Sequence, residues 1–229
     1  MKPESNGLLA RLRPRERARF INACVPVDMT FGETVADAGS RIAHVYLPTS
    51  GYLSIVRLMD RQQIEVSLAG HEGMFGWALA LDCEVSEVTA LVQGAGSALR
   101  LTPAAFRRQM GLSVNLRRTV ARYTNVLMTQ FAQTAGCNRF HVVEQRLARW
   151  LLATSDRARS PSFRVTQEFL AHMLGVRRAG VTQAAGRLQD RGLIRYQRGN
   201  IVIRDRDGLE HASCSCYAIN AATYRKILG

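Results

Sequence analysis

Lysine is nearly missing from this 229-residue chain: Lys2 and Lys226 are the only two, and the other 29 of the 31 basic residues are arginine. Codon bias in a GC-rich genome is the preferred reading of that choice, and no special role is read into it. Long apolar runs are missing as well. No uncharged apolar stretch approaches the roughly 20 residues needed to span a bilayer, so no membrane partner is expected. The N-terminus interleaves Arg11, Arg13, Arg15, Glu16 and Arg17 with apolar residues where a signal peptide would carry an apolar core, and a cytoplasmic location is expected. Five cysteines, an odd number in an intracellular chain, are expected to be thiols. Catalytic signatures are wanting too. There is no nucleophile elbow, phosphate loop or His-Glu metal signature, and His44, His71, His141 and His172 fall on unlike elements. The glycines of 70–76 do not open a helix after a strand, as a dinucleotide fingerprint would. The chain is not expected to be an enzyme.

What is present is concentrated in residues 166–203. Thr166 can cap a helix over 167–174, in which Phe169, Leu170, Met173 and Leu174 recur at helical spacing and form one buried stripe. Gly175 makes a turn, and a second helix follows over 178–190. Val181, Ala184, Ala185 and Leu188 face inward there, leaving Arg178, Thr182, Gln183 and Arg187 outside. Gly192 stops that helix, and residues 194–196 and 201–203 alternate around a turn placed at Gly199-Asn200, as a hairpin should. The pattern is a helix-turn-helix with a two-stranded wing. Its chemistry suits duplex DNA: arginine pairs bidentately with guanine and glutamine with adenine, so Arg177, Arg178 and Gln183 form a reading head for the major groove. Thr166, Gln167, Thr182 and Arg187 complete the expected face, and Arg198 and Asn200 on the wing suit phosphate or minor-groove contact. Charge agrees, since residues 137–229 hold 16 basic against 7 acidic groups, while residues 1–136 hold 15 against 11.

Before this segment the texture changes. At 47% apolar content the chain can bury one or two cores. From residue 31 to 101 it consists of short β-like runs between glycine-containing turns, at 42–47, 52–58, 63–68, 88–92 and 98–101, which reads as a sandwich or barrel. Thr102-Pro103 starts a short helix reaching Met110. A longer helix over about 113–135 then sets Leu116, Val120, Tyr123 and Leu127 at alternating steps of four and three. That stripe is either a coiled-coil seam or an amphipathic face packed within its own domain. Dimerisation is the favoured reading, because a helix-turn-helix usually reads two half-sites about 34 Å apart and needs a twofold partner. The expected fold is α+β: a β-roll over 1–110, a dimerisation helix over 111–137, and a winged helix-turn-helix over 138–229.

This order resembles the CRP/FNR family of bacterial transcription regulators over nearly the whole chain. The residues that carry the resemblance are Gly51-Tyr-Leu-Ser, Gly70-His-Glu-Gly-Met-Phe-Gly76, Glu144-Gln-Arg-Leu-Ala-Arg-Trp-Leu-Leu152 and Leu170-Ala-His-Met-Leu-Gly175. It implies a cyclic-nucleotide-binding-like roll that senses a signal, a homodimer, a palindromic operator and RNA polymerase as a protein partner. Members that bind cyclic AMP hold the ribose with a Glu and the cyclic phosphate with an Arg. Here Trp77 stands in the Glu position, the Arg position falls near Ser86 or Glu87, and residues 73–93 contain no Arg or Lys. Without a cation the phosphate loses its charge-assisted pair, so no cyclic AMP is expected and any other effector is unspecified. Effector-pocket candidates are Glu72, Phe75, Gly76, Trp77, Ser86 and Tyr123.

Departures also mark the recognition helix, where Ala179 follows Arg178 and Gln183 stands near the next turn, so the family's familiar half-sites are not assumed. The N-terminal cysteines that hold an iron-sulfur cluster in oxygen-sensing relatives are absent, Cys24 being the only one in the first 80 residues. Two other soft-ligand groups remain, Cys137 with His141, and His211 with Cys214 and Cys216. If 207–217 were one helix, Cys214 and Cys216 would point about 200° apart at ~100° per residue, so no metal is expected. A thiol- or metal-responsive regulator built on those groups is the alternative. A protein-interaction module, the remaining class, would leave the reading head and the basic excess without purpose.

Overall fold

Two antiparallel sheets form the N-terminal half in the computed structural model, which describes residues 6–60 and 62–229. The first five residues of the roll expected over 1–110 lie outside that range. Helices α1 (Gly7–Ala10) and α2 (Pro14–Asn22) precede seven strands. These are β1 (Val25–Met29), β2 (Thr34–Ala36), β3 (Val45–Pro48), β4 (Tyr52–Met59), β5 (Gln62–Ala69), β6 (Thr89–Gly94) and β7 (Gly96–Leu101), with a 3-10 turn at Trp77–Leu81. One sheet has the order β2-β6-β4-β5 and the other β1-β7-β3. Strand β1 was not anticipated because it is an edge strand in which only Met29 is buried, so it lacks the alternation that betrays a strand with one covered face. Between the sheets lie Val45, Leu47, Leu53, Ile55, Ala69, Val92 and Leu99.

As the Thr-Pro pair implies, α3 (Pro103–Leu112) begins with the Thr102 hydroxyl accepting from the Ala105 amide at 3.2 Å. Next, α4 (Val114–Phe140) is capped by Ser113, whose hydroxyl accepts from the Leu116 amide at 3.0 Å. It runs five residues beyond the expected end at 135. The C-terminal half contains α5 (Val143–Ala158), β8 (Ser162–Arg164), α6 (Gln167–Leu174), α7 (Arg178–Asp190), β9 (Ile194–Gln197), β10 (Asn200–Ile203), α8 (Arg206–Ala212) and α9 (Cys216–Leu228). A second core gathers Leu147, Trp150, Leu151, Leu170, Leu174, Val181, Leu188, Ile201 and Leu209. Helix α9 leaves this core and returns along α4. Tyr224 donates to the Glu72 carbonyl at 2.5 Å and Leu228 joins the roll's core, so the last helix packs with the N-terminal half although it follows the second core in sequence.

One correction concerns α4. Leu116, Val120, Tyr123 and Leu127, the stripe expected at the dimer seam, are 3%, 1%, 2% and 1% exposed within a single chain and belong to the roll's core. Periodicity identified a buried face but not what buries it. The outward face of the same helix is different: Val114, Arg118, Ala121, Asn125, Met128, Ala132, Ala135 and Arg139 are all exposed and again step by four and three. Met128 is 63% exposed.

Candidate nucleic-acid interface

The helix-turn-helix stands where the sequence puts it. Thr166 accepts from the Phe169 amide at 3.1 Å and so starts α6. Gly175 ends it at φ 61, a left-handed conformation that favours glycine, and a Cβ there would press on the end of the Ile64 side chain of the roll at 3.1 Å. In α7, Val181, Ala184, Ala185 and Leu188 are buried while Arg178, Thr182, Gln183 and Arg187 are exposed. Arg177, the N-cap residue, is exposed as well. Arg177, Arg178 and Gln183 make no side-chain hydrogen bond or ion pair among the described residues. Thr182 is partly committed, donating to Gln167 Oε1 at 2.9 Å across the turn. Arg187 is more so: its Nε lies 2.6 Å from Glu144 Oε2, and Arg191 reaches the other oxygen of that carboxylate at 3.0 Å. Glu144 thus fixes the C-terminal end of α7 on α5.

The wing differs by one residue from its expected register. Asn200 pairs with Gln197, so the turn is Arg198-Gly199, with φ 51 and 76, the two positive values a type I′ turn demands. Asn200 is therefore the first residue of β10, and Arg198, exposed, is at the tip. The short strand β8, which pairs with β10, makes the wing's sheet three-stranded. Its three residues are too few to show alternation.

Beneath this head the two halves are joined through β5 and α5. Glu65 is buried and accepts from Trp150 Nε1 at 2.8 Å on one oxygen and from the Ser54 hydroxyl on the other. Burial pushes its carboxyl up to about 7, against the opposing pull of the Ser54 hydrogen bond, Arg149, the Trp150 hydrogen bond and Arg157. Close by, Arg157 Nε lies 2.7 Å from Glu72 Oε1. A cavity of 270 Å³ opens between β5, α4, α5 and α9, lined among others by Glu65, Glu72, Arg149, Asp156, Arg157 and Tyr217.

Of the effector-pocket candidates only Glu72 reaches that cavity. Phe75 is buried, and Trp77 packs edge-on against it at 5.8 Å and tilted against Phe131 at 6.4 Å. Gly76 caps the 3-10 turn. Ser86 donates to the Val88 carbonyl at 2.6 Å, and Tyr123 to the Met74 carbonyl at 3.1 Å. Those five are thus engaged inside the roll. Sequence reasoning missed Glu65, Arg149 and Arg157, because nothing in a strand and a helix 85 residues apart announces that they will face each other.

The soft ligands are rearranged. Helix α8 ends at Ala212 and α9 starts at Cys216, so the single helix that would have splayed Cys214 from Cys216 does not exist. Cys137, His141, Cys214 and Cys216 converge, with one ligand atom from each lying within 4.8 Å of all the others. His211 stays out on α8, exposed, its Nδ1 2.7 Å from the Asp207 carbonyl. Cys137 Sγ and Cys214 Sγ lie 3.5 Å apart, within hydrogen-bonding reach with either thiol as donor. The Cys214 hydrogen bond holds Cys137 below the usual thiol range, and the same contact raises Cys214.

Comparison with known proteins agrees with this geometry. Residues 145–212 match the Crp-like helix-turn-helix domain family. No curated protein matches the sequence. Among solved structures, FixK2 from Bradyrhizobium japonicum is similar at 15% identity and a TM-score of 0.70, over 83% of this chain and 98% of that one. The c-di-GMP-responsive regulator CLP of Xanthomonas campestris is 18% identical with a TM-score of 0.68, over 83% and 99%. TTHB099, a CRP-family regulator from Thermus thermophilus, is 22% identical with a TM-score of 0.66, over 82% and 96%. At such identities the likeness carries the fold, and the domain match carries the DNA-binding class. Residues 145–212 thus form a Crp-like helix-turn-helix domain. Over more than four-fifths of its length the chain is similar in fold to those three structures. No helix among the described residues is long and apolar enough to cross a membrane.

Proposed function

We propose that the protein binds a palindromic operator as a homodimer, with α7 of each protomer in the major groove and the wing on the flanking backbone. The observation that carries this reading is the outer face of α7, where Arg177, Arg178 and Gln183 stand exposed with no hydrogen-bond or ion-pair partner among the described residues. Uncommitted within the chain, such groups are free to meet base edges or phosphates. Thr166, Gln167 and Thr182 flank them, and Arg198 and Asn200 reach the phosphates. Arg187 serves chiefly to brace α7 through Glu144. The dimer forms along the outward face of α4, through Ala121, Asn125, Met128, Ala132 and Ala135, where three alanines allow close approach of a second helix.

Control does not run through cyclic AMP in the familiar mode, since Trp77 occupies its own surroundings and residues 73–93 offer no cation. Either another signal acts or the roll is a structural platform. RNA polymerase is the protein partner this reading implies, and the chain acts by binding, without catalysis, in the cytoplasm. The test is selection from a randomised DNA library by reduced, dialysed protein, with and without the small-molecule fraction of a cell extract. A palindrome in both arms supports ligand-independent binding, and a palindrome only with extract supports an effector. No selection in either arm refutes the operator reading.

A further inference from the structure

Three cysteines and one histidine, 79 residues apart at the extremes of their numbering, are brought to one point by the corner between α8 and α9. We propose that Cys137, His141, Cys214 and Cys216 bind a single tetrahedral divalent cation of the zinc type, which clamps the C-terminal end of α4 to that corner. Local structure builds the site from both sides. Cys137 and His141 are four residues apart at the last turn of α4, hence on one face, and the His141 amide still donates to the Cys137 carbonyl at 3.2 Å. Ser213 ends α8 in an extended conformation, and Cys216 opens α9, so the three-residue corner turns two sulfurs the same way.

Donor set and spacing decide which ion. Three thiolates with one imidazole is a closed structural zinc set, and thiolates select soft cations over magnesium or calcium. With Zn–S of about 2.3 Å and Zn–N of about 2.0 Å, a tetrahedron puts neighbouring sulfurs about 3.8 Å apart and sulfur from nitrogen about 3.5 Å. Here Cys137 Sγ to Cys214 Sγ is 3.5 Å, Cys216 Sγ to His141 Nδ1 is 3.5 Å, and all four atoms lie within 4.8 Å. A four-iron cluster seats each ligand on its own iron and would hold the sulfurs farther apart.

The surroundings match the same ion. Cys137, Cys214 and Cys216 are buried in a small cluster of their own, while His141 is half-buried and leaves a side for the metal to approach. Gln133 Nε2 donates to Cys216 Sγ at 3.0 Å, the outer contact a metal-bound thiolate needs. Three thiolates around a divalent cation leave one net negative charge, and the guanidinium groups of Arg146 and Arg149 on α5 act on Cys137 from across the junction. The ion would therefore join the end of the long helix to the last two helices, across the extended residue His141 where α4 gives way to the DNA domain.

Full-length protein, purified under reducing and anaerobic conditions from zinc-supplemented cells, is expected to carry one zinc per chain by elemental analysis. After chelation, cobalt titration should give the ligand-field and sulfur-to-metal charge-transfer bands of a tetrahedral thiolate site, saturating at one equivalent and erased by zinc. Cys214→Ser and Cys216→Ser should lose stoichiometric binding with circular dichroism unchanged, and Gln133→Ala should weaken it by about 10- to 100-fold. His211→Ala should leave it intact. Wild-type protein that gives no sulfur-bound tetrahedral cobalt spectrum would overturn the proposal without recourse to any variant. So would iron with labile sulfide in the anaerobic preparation, or one zinc per chain retained by the Cys214→Ser, Cys216→Ser double variant.

Discussion

Replacing Glu65 with glutamine tests the junction between roll and DNA domain. Its carboxyl is buried between Ser54 and Trp150 and stands up at about 7, where an ordinary glutamate titrates near 4.5. The folded protein therefore binds this proton more tightly than the unfolded chain does. Its contribution is fully present below about pH 4.5, is lost progressively as pH rises through about 7, and is constant above. At about 1.4 kcal/mol per pH unit, that interval corresponds to a loss on the order of 3 kcal/mol. A glutamine in its place would keep both contacts, its carbonyl accepting from the indole and its amide donating to the Ser54 hydroxyl, while no longer paying for a buried charge. Urea unfolding of wild type and Glu65→Gln, followed by tryptophan fluorescence between about pH 5 and pH 8.5, should show the two alike at the acid end. The variant should gain toward the alkaline end, by up to about 3 kcal/mol. Parallel profiles would refute the reasoning. A variant less stable at alkaline pH would show that Arg149 and Arg157 hold the carboxylate charged and that its attraction to them outweighs burial.

Two further expectations address the interfaces. Arg178→Ala should cost about 1–3 kcal/mol on the selected operator and relax preference at one base pair, whereas Arg198→Ala should weaken all sequences alike and lower the salt slope by about 1; equal losses on specific and random DNA for Arg178→Ala would remove it from base contact. Met128→Glu, on the outward face of α4, should yield folded monomers by sedimentation, while Leu127→Glu, at the neighbouring position, buries a charge in the roll's core and should cost more than about 4 kcal/mol of stability; a Met128→Glu protein that stays dimeric would move the interface off α4.

Legibility in the sequence followed the reach of each signal. Helix-turn-helix and wing were readable because every cue is local: the Thr166 cap, the Gly175 turn, the Gly192 stop and a hairpin whose turn lies one residue earlier than expected. Helix α4 was readable as a helix, but its stripe of Leu116, Val120, Tyr123 and Leu127 has the same period whether it faces a partner or its own roll. Only the roll's position shows that it is already buried. The cysteine cluster was hidden behind one assumption, that 207–217 is a continuous helix. Ser213 breaks it, and a serine between two helices is a weak signal beside a proline or glycine. The Glu65–Trp150 contact joins residues 85 apart and no pattern of either segment encodes it.

In the proposed dimer helix α4 would serve three neighbours at once, and its periodicity keeps them apart. At about 100° per residue, Leu116, Val120, Tyr123 and Leu127 cluster within roughly 60° of one direction, and the outward residues Ala121, Asn125, Met128, Ala132 and Ala135 centre roughly 140° away. Gln133 and Cys137 fall on a third face, on the opposite side of the roll-facing stripe from the outward one. Roll, proposed second protomer and α8–α9 corner thus need not compete for the same side chains. The faces are nevertheless rigidly related, because one hydrogen-bonded helix carries all of them from Val114 to Phe140. A rotation of α4 against the roll must turn the outward face and the cysteine face through the same angle. The DNA domain is then held to that helix on one side by the cysteine cluster and to the roll on the other by Glu65, Glu72 and Gly175, so it cannot follow the rotation without giving up one set of contacts or the other. That choice between two attachments, rather than any single residue in the roll, is where a signal would have to act.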